Sequence, residues 1–263
     1  MLFGAMNNPR ENLLKELREI CEKGMEYVEM TIEWPCATVE IVREKKREIM
    51  DIVNSYNIRL LGHAPWFFEF GHPYDSIRRA VIFEAKKVLD LSSELGIETV
   101  TFHPHSPGWI DKRYKDKIVR SNIDTFKEIV NYSKERNIKV CIENIDYGIF
   151  SDVKSIARIV NSTPGLMFTL DVGHAFMHSD KMDKLKAYVN RLGDQVDHLH
   201  VHDNKCKGED LHIPVGAGNI NWKEACRILR NLDNVEKVTI EVHCKDKDYL
   251  VFSKNKFLEY WSS

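Results

Sequence analysis

No apolar run in this 263-residue chain approaches the 18 or more residues of a membrane helix, so no membrane-spanning part is expected. The opening residues, MLFGAMNNPR, lack the basic-then-apolar layout of a secretory leader, and the expected location is the cytoplasm. The six cysteines (21, 36, 141, 206, 226 and 244) include no C-x-x-C pair. They read as reduced thiols in a reducing compartment. No block of Lys and Arg stands out. REKKRE (43–48) is mixed in sign, and the formal net charge is −2. That weakens a nucleic-acid-binding role, although a local basic groove can sit on a neutral protein. Also missing is a glycine-rich turn after the first candidate strand, where AMNNPRE stands instead. An open doubly wound sheet would favour such a turn. No linker or composition shift divides the chain, so residues 1–263 read as one domain.

What is present is a regular alternation of short apolar strands and helical patterns. Candidate strands are Leu2–Met6, Tyr27–Trp34, Ile58–Pro65, Thr99–His105, Lys139–Ile145, Leu166–Val172, Val196–Asp203 and Lys237–His243. Between them, segments such as PRENLLKELREICEKG carry apolar residues at helical spacing and stop at a glycine, here Gly24. Eight strands with helical crossovers in about 250 residues predict a single (β/α)8 TIM barrel.

In that fold the active site lies at the C-terminal strand ends, and those ends hold the chemistry. Strand three ends at His63, strand four at His103 and His105, and strand five at Glu143. Strand six ends at Asp171 with His174 three residues on, and strand eight at Glu241 and His243. Strand seven reads HLHVHDN (198–204), with Leu199 and Val201 facing one way and His198, His200 and His202 the other. Of eleven histidines, only His72 and His178 fall outside strand ends or the DLHIP loop.

The pleat aims Glu143, Asp171, His200 and Glu241 at the barrel axis from four consecutive strands. A single such residue is more often a structural hydrogen-bonding group or half of an ion pair. Four together, with no inward Lys or Arg to neutralise three carboxylates, predict a bound cation. Mixed carboxylate and imidazole ligands suit zinc, manganese or cobalt better than magnesium.

The segments FHPH, IEN, LDVGHA, HVHDN, DLHIPVGAGNINW and IEVH resemble, in order and spacing, the xylose isomerase-like TIM barrels. That superfamily holds sugar isomerases and epimerases and also the apurinic endonuclease, endonuclease IV. The resemblance implies one of two site patterns. In the epimerase pattern Glu143, Asp171, His200 and Glu241 hold one divalent metal and the two glutamates are also the acid/base pair. His174 then binds substrate hydroxyls. In the endonuclease pattern His63, His103, Glu143, Asp171, His174, His200, Asp210, His212 and Glu241 hold three zinc ions. The endonuclease's DRH is DLH here, and HAPW at strand three is nearer the sugar-enzyme form.

The favoured expectation is a sugar or sugar-phosphate isomerase/epimerase working through a metal-stabilised enediolate. Its site would use His174, Trp66 and His105 for the substrate, with His202 contacting either the substrate or the back of a metal ligand. The alternative is an abasic-site phosphodiesterase with nucleic acid as its partner. Trp66, Phe67, Phe68, Trp109, Arg113 and Lys115 could line part of a groove for a bent duplex, but aromatics closing a small-molecule pocket explain them as well.

Overall fold

The computed structural model describes every residue of 1–263 except Ile110 and Asn234. Eight parallel strands close into a barrel in sequence order: β1 (Leu2–Met6), β2 (Tyr27–Thr31), β3 (Arg59–His63), β4 (Thr99–Phe102), β5 (Lys139–Glu143), β6 (Leu166–Asp171), β7 (Val196–Val201) and β8 (Lys237–Ile240). β8 pairs with β1, with Val238 opposite Phe3 and Ile240 opposite Ala5, which closes the ring. Helices fill the crossovers, among them Leu13–Glu22, Asp75–Glu94 and Lys115–Lys134, and a last helix, Asp248–Trp261, follows β8. Among the described residues no helix is long and apolar enough to cross a membrane.

Sequence explains the punctuation. Helix Leu13–Glu22 starts where the Asn12 side chain accepts from the Lys15 amide, satisfying one of the free donors of the first turn. Gly24, with φ +71°, then turns the chain back towards β2 in a conformation that side-chain-bearing residues resist.

The main apolar core lies between the strands and the surrounding helices. Outward residues of the strands, such as Val100, Phe102, Val140, Ile142, Leu199, Val201, Val238 and Ile240, are buried there. The inside of the barrel is different. It is lined by Tyr27, Glu29, Thr101, Cys141, Thr169, His198 and Thr239, all buried and mostly polar. Two faces of contrasting polarity produce the alternation seen in the sequence.

Strands two to eight end earlier than that alternation suggested. Chain segments just beyond them keep some pairing: the Ile32 amide donates to the His63 carbonyl and the Glu241 amide to the Val201 carbonyl, at 2.8 and 3.1 Å. The in-and-out pattern therefore outlasts the ladder by a residue or two. His103, His105, Glu241 and His243 sit on these departing segments rather than on strands.

Candidate functional site

At the C-terminal rim, Glu143 and Asp171 are the last residues of β5 and β6. His200 lies one residue before the end of β7, and Glu241 immediately follows β8. All four are buried and point inward. His200 Nδ1 lies 3.0 Å from Glu241 Oε2, 3.4 Å from Glu143 Oε2 and 4.0 Å from Asp171 Oδ2. Yet His200 Nδ1, Glu143 Oε1, Asp171 Oδ2 and Glu241 Oε2 have no hydrogen-bond partner. Three carboxylates crowded without protons between them are costly in a buried site. A divalent cation accepting a donor atom from each removes that cost, and the oxygen-and-imidazole set fits zinc, manganese or cobalt.

Two further groups flank these four. On one side, His63 Nε2 and His103 Nε2 lie 3.2 and 3.0 Å from Glu143 Oε2. On the other, His174 Nε2 and His212 Nε2 lie 3.1 and 3.0 Å from Asp210 Oδ2. His174 Nδ1 is also 3.1 Å from Glu143 Oε1. All nine residues of the larger ligand pattern are therefore gathered into one cluster. Its electrostatics are those of interleaved acids and imidazoles. Burial disfavours the charged form of Glu143, but His103, His200 and His174 outweigh it and hold the carboxyl well below its usual range. Burial likewise opposes the imidazolium of His200, but Glu29, Glu143 and Glu241 raise it well above an ordinary imidazole.

Local structure explains the placement. The Asp171 side chain accepts from the His174 amide and caps the four-residue helix Val172–Ala175, which carries His174 one turn on. Asn144 braces both residues. Its amide exchanges two 2.8 Å hydrogen bonds with the Asp171 backbone, and its carbonyl accepts from His174 Nδ1 at 2.8 Å. The loop after β7 brings in Asp210 and His212, and Asp203 organises it. The buried Asp203 carboxylate accepts from the Gly216 and Ile220 amides and from Trp222 Nε1, at 2.9, 3.2 and 2.9 Å. The aspartate that closes HLHVHD is thus a loop scaffold and no ligand. His212 has φ +45°, a left-handed conformation costing about 1 kcal/mol for a non-glycine residue. Stacking offsets that cost: its ring centroid lies 3.9 Å from His202 and 4.3 Å from His243.

Of the two places expected for His202, the structure puts it behind a candidate ligand rather than at the cavity. It is fully buried beneath His212 and does not border the cavity. Its Nε2 faces Asp171 Oδ1 at 3.2 Å, and Gly173 passes so close that a Cβ there would lie 2.2 Å from the ring. His105, expected at the substrate, does not border the cavity. Its backbone lies beyond the end of β4 and is clamped by the Asn122 side chain, at 2.9 Å from both its amide and its carbonyl. Trp66 does line the cavity and is half exposed.

That cavity, about 500 Å³, opens above the cluster. His63, His103, His174, Asp210, His212, Glu241 and His243 form its floor and one side. Asn8, Arg10, Glu33 and Trp66 form the other. Glu241 borders it, whereas Glu143 lies behind His63, His103 and His174 and borders no part of it. The sequence reading missed Glu29, Glu33 and Asn144. Glu33 is 9% exposed, its Oε2 accepts from the Trp66 amide at 3.3 Å, and burial raises its carboxyl pKa. Glu29, Thr31 and Glu33 alternate along YVEMTIEW, the same inward pattern that marked HLHVHD.

Residues 17–257 match the model of the xylose isomerase-like TIM barrel family. The chain belongs to that family. Within it, a curated relative is an uncharacterised protein of Methanocaldococcus jannaschii, 23% identical over 232 residues that cover 87% of this chain and 86% of the relative. Among solved structures, a D-tagatose 3-epimerase-like protein has a TM-score of 0.85 and 25% identity, covering 100% of this chain and 97% of that one. The IOLI protein, crystallised with a bound zinc atom, has a TM-score of 0.77 at 18% identity, covering 100% and 98%. At that identity it shares the xylose isomerase-like fold, and nothing more follows from the likeness alone.

Proposed function

We propose that this protein is a divalent-metal-dependent isomerase or epimerase of a sugar or sugar phosphate, acting by proton transfer at a carbon beside a carbonyl. The observation that carries the reading is the set of four buried atoms, His200 Nδ1, Glu143 Oε1, Asp171 Oδ2 and Glu241 Oε2, that converge without hydrogen bonds beneath a cavity. The epimerase-like title of the 25%-identical structure supports it.

Glu143, Asp171, His200 and Glu241 would hold the metal, which supplies Lewis-acid stabilisation to negative charge developing on the substrate's oxygens. The chain's own residues supply the rest. Glu241 borders the cavity and takes the proton from the substrate carbon. Glu143, the second carboxylate of the proposed pair, lies on β5 behind His63, His103 and His174, so a proton it exchanges with the substrate would pass through one of these imidazoles. His174 reaches the cavity and donates to a substrate hydroxyl, while Trp66 offers a flat face to the apolar side of the sugar. His63, Trp66 and His103 close the wall and limit water around the reacting carbon.

A second reading has one specific observation behind it: all nine residues of the three-zinc pattern lie in the cluster. Three zinc ions there would suit hydrolysis of a phosphodiester at an abasic site. The test is metal analysis of the purified protein together with assays on free and phosphorylated ketoses and on a duplex bearing one abasic site. Ketose interconversion supports the proposal. Strand incision with three zinc per chain and no sugar turnover replaces it with the second reading.

A further inference from the structure

Below the four converging atoms, the barrel interior holds a charged row that the proposed reaction does not use. Glu29, in the middle of β2, is completely buried. Its carboxylate accepts from His200 Nε2 at 3.0 Å, from Thr239 Oγ1 at 2.6 Å and from His198 Nε2 at 3.4 Å. Tyr27 donates its hydroxyl to Thr239 at 2.8 Å, which directs the Thr239 proton to Glu29. Beyond His198 the row continues. His198 Nδ1 lies 3.1 Å from Asp197 Oδ2, and Asp197 is gripped by Lys139 and Lys237 at 2.9 and 2.6 Å. The row therefore runs from His200 through the barrel floor to two lysines at the opposite end.

A carboxylate in the centre of a barrel is expensive. Apolar residues of similar volume are often as stabilising or more so. Here every donor around Glu29 is aimed at it, and one belongs to the histidine whose other nitrogen faces Glu143, Asp171 and Glu241. A ring that donates from Nε2 presents an unprotonated Nδ1 on its other side, provided it is neutral. We infer that Glu29 is a positioning residue for the metal site: it fixes His200 as the Nε2–H form and holds Nδ1 as the ligand atom, with His198 and Asp197 holding Glu29 in turn. The inference rests on the metal-dependent reading proposed above and explains the histidine pair His198/His200. One is the ligand, and the other braces the ligand's anchor.

A carboxylate behind a metal-bound imidazole generally contributes 10–100-fold in metal affinity. The test compares wild type, Glu29→Gln, Glu29→Asp and Asp197→Asn, using the zinc-loaded full chain. Zinc affinity is measured by competition with a chelator, and ¹⁵N-histidine NMR reads which ring nitrogen of His200 carries the proton. Wild type is expected to show Nε2–H and a zinc-bound Nδ1. Glu29→Gln, which keeps size but can donate as well as accept, is expected to lose 10–100-fold in zinc affinity and to give a mixed or reversed His200 signal. Glu29→Asp should recover part of the affinity, and Asp197→Asn should lose less than Glu29→Gln. Zinc affinity in Glu29→Gln within about twofold of wild type, or a wild-type His200 protonated on Nδ1, overturns the inference while leaving the metal-dependent reading intact. Absence of zinc binding by wild type overturns both. Should Glu29→Gln not fold, the NMR signal of wild type and the affinities of Glu29→Asp and Asp197→Asn decide the same question.

Discussion

Glu241 Oε2 lies 3.0 Å from His200 Nδ1, and the two atoms do not form a hydrogen bond. Both are buried. A carboxylate oxygen and a ring nitrogen held this close in a buried site, with Glu143 and Asp171 beside them, are placed to be offered to one cation. It follows that His200→Ala should abolish tight binding of a divalent metal. His198→Ala, which removes the brace behind Glu29, should mainly lower stability and weaken binding less. Metal content by elemental analysis, with thermal unfolding alongside, separates the two. Full metal content in His200→Ala contradicts the assignment.

The two glutamates differ in access, and so should their variants. Glu241 borders the cavity, while Glu143 sits behind His63, His103 and His174. Glu241→Gln should keep much of the metal and lose about 10² or more in turnover, the usual scale for a general acid or base. Glu143→Gln should lose metal as well as turnover, since its oxygens meet four imidazoles. Comparing kcat at saturating metal with the metal affinity of each variant checks this. Equal losses of both kinds in the two variants would be the wrong result.

Metal binding should release protons. Burial opposes the charging of His212, but Glu241 and Asp210 prevail, and its pKa in the metal-free protein is raised to about 9 from 6.5. That charge stabilises the metal-free fold fully below about pH 6.5, and the stabilisation is lost as pH rises through about 9. If His212 is a ligand, the metal needs the neutral ring. Affinity should then climb between about pH 6.5 and 9 with release of a proton, while the metal-free protein loses thermal stability over the same window. Calorimetric titration in two buffers of different ionisation enthalpy detects the released proton. A pH-independent affinity in His212-containing protein argues against it as a ligand.

The long loop after β7 should depend on Asp203. Replacing it with Ala leaves the Gly216 and Ile220 amides and Trp222 Nε1 without their partner, a cost of about 3 kcal/mol for buried donors. Gly173→Ala should act on the same region by a different route. Its Cβ would overlap the His202 ring, pushing on the His202–His212 stack at a cost of about 1–3 kcal/mol. Denaturant unfolding measures both. Neither substitution touches the cavity floor on the β3–β5 side, so His63 and His103 should keep their contacts with Glu143.

The barrel and most of the cluster were legible because strands five to eight each bury an apolar outer face and a charged inner one. Glu143, Asp171, His200 and Glu241 broke an otherwise apolar pattern at matching positions. Glu29 escaped notice because it lies in the middle of β2, where attention to strand ends does not reach. The alternation of Glu29, Thr31 and Glu33 carried the signal all the same. Alternation puts His202 on the inward face but does not choose between substrate and the back of a ligand, because its depth is set by the loop that folds Asp210 and His212 over it. No local pattern encodes that. His105 was misplaced for a related reason: once the chain leaves β4, period-two alternation no longer fixes the side of the barrel.

The most direct measurement is deuterium incorporation. The metal-loaded protein is incubated in deuterated water with a panel of free and phosphorylated ketoses, beside Glu241→Gln and beside a duplex carrying one abasic site. The account predicts deuterium at a carbon next to the carbonyl of at least one sugar, at a rate about 10² lower or less in Glu241→Gln, with the duplex uncut. Incision at the abasic site with no deuterium entering any sugar would contradict it.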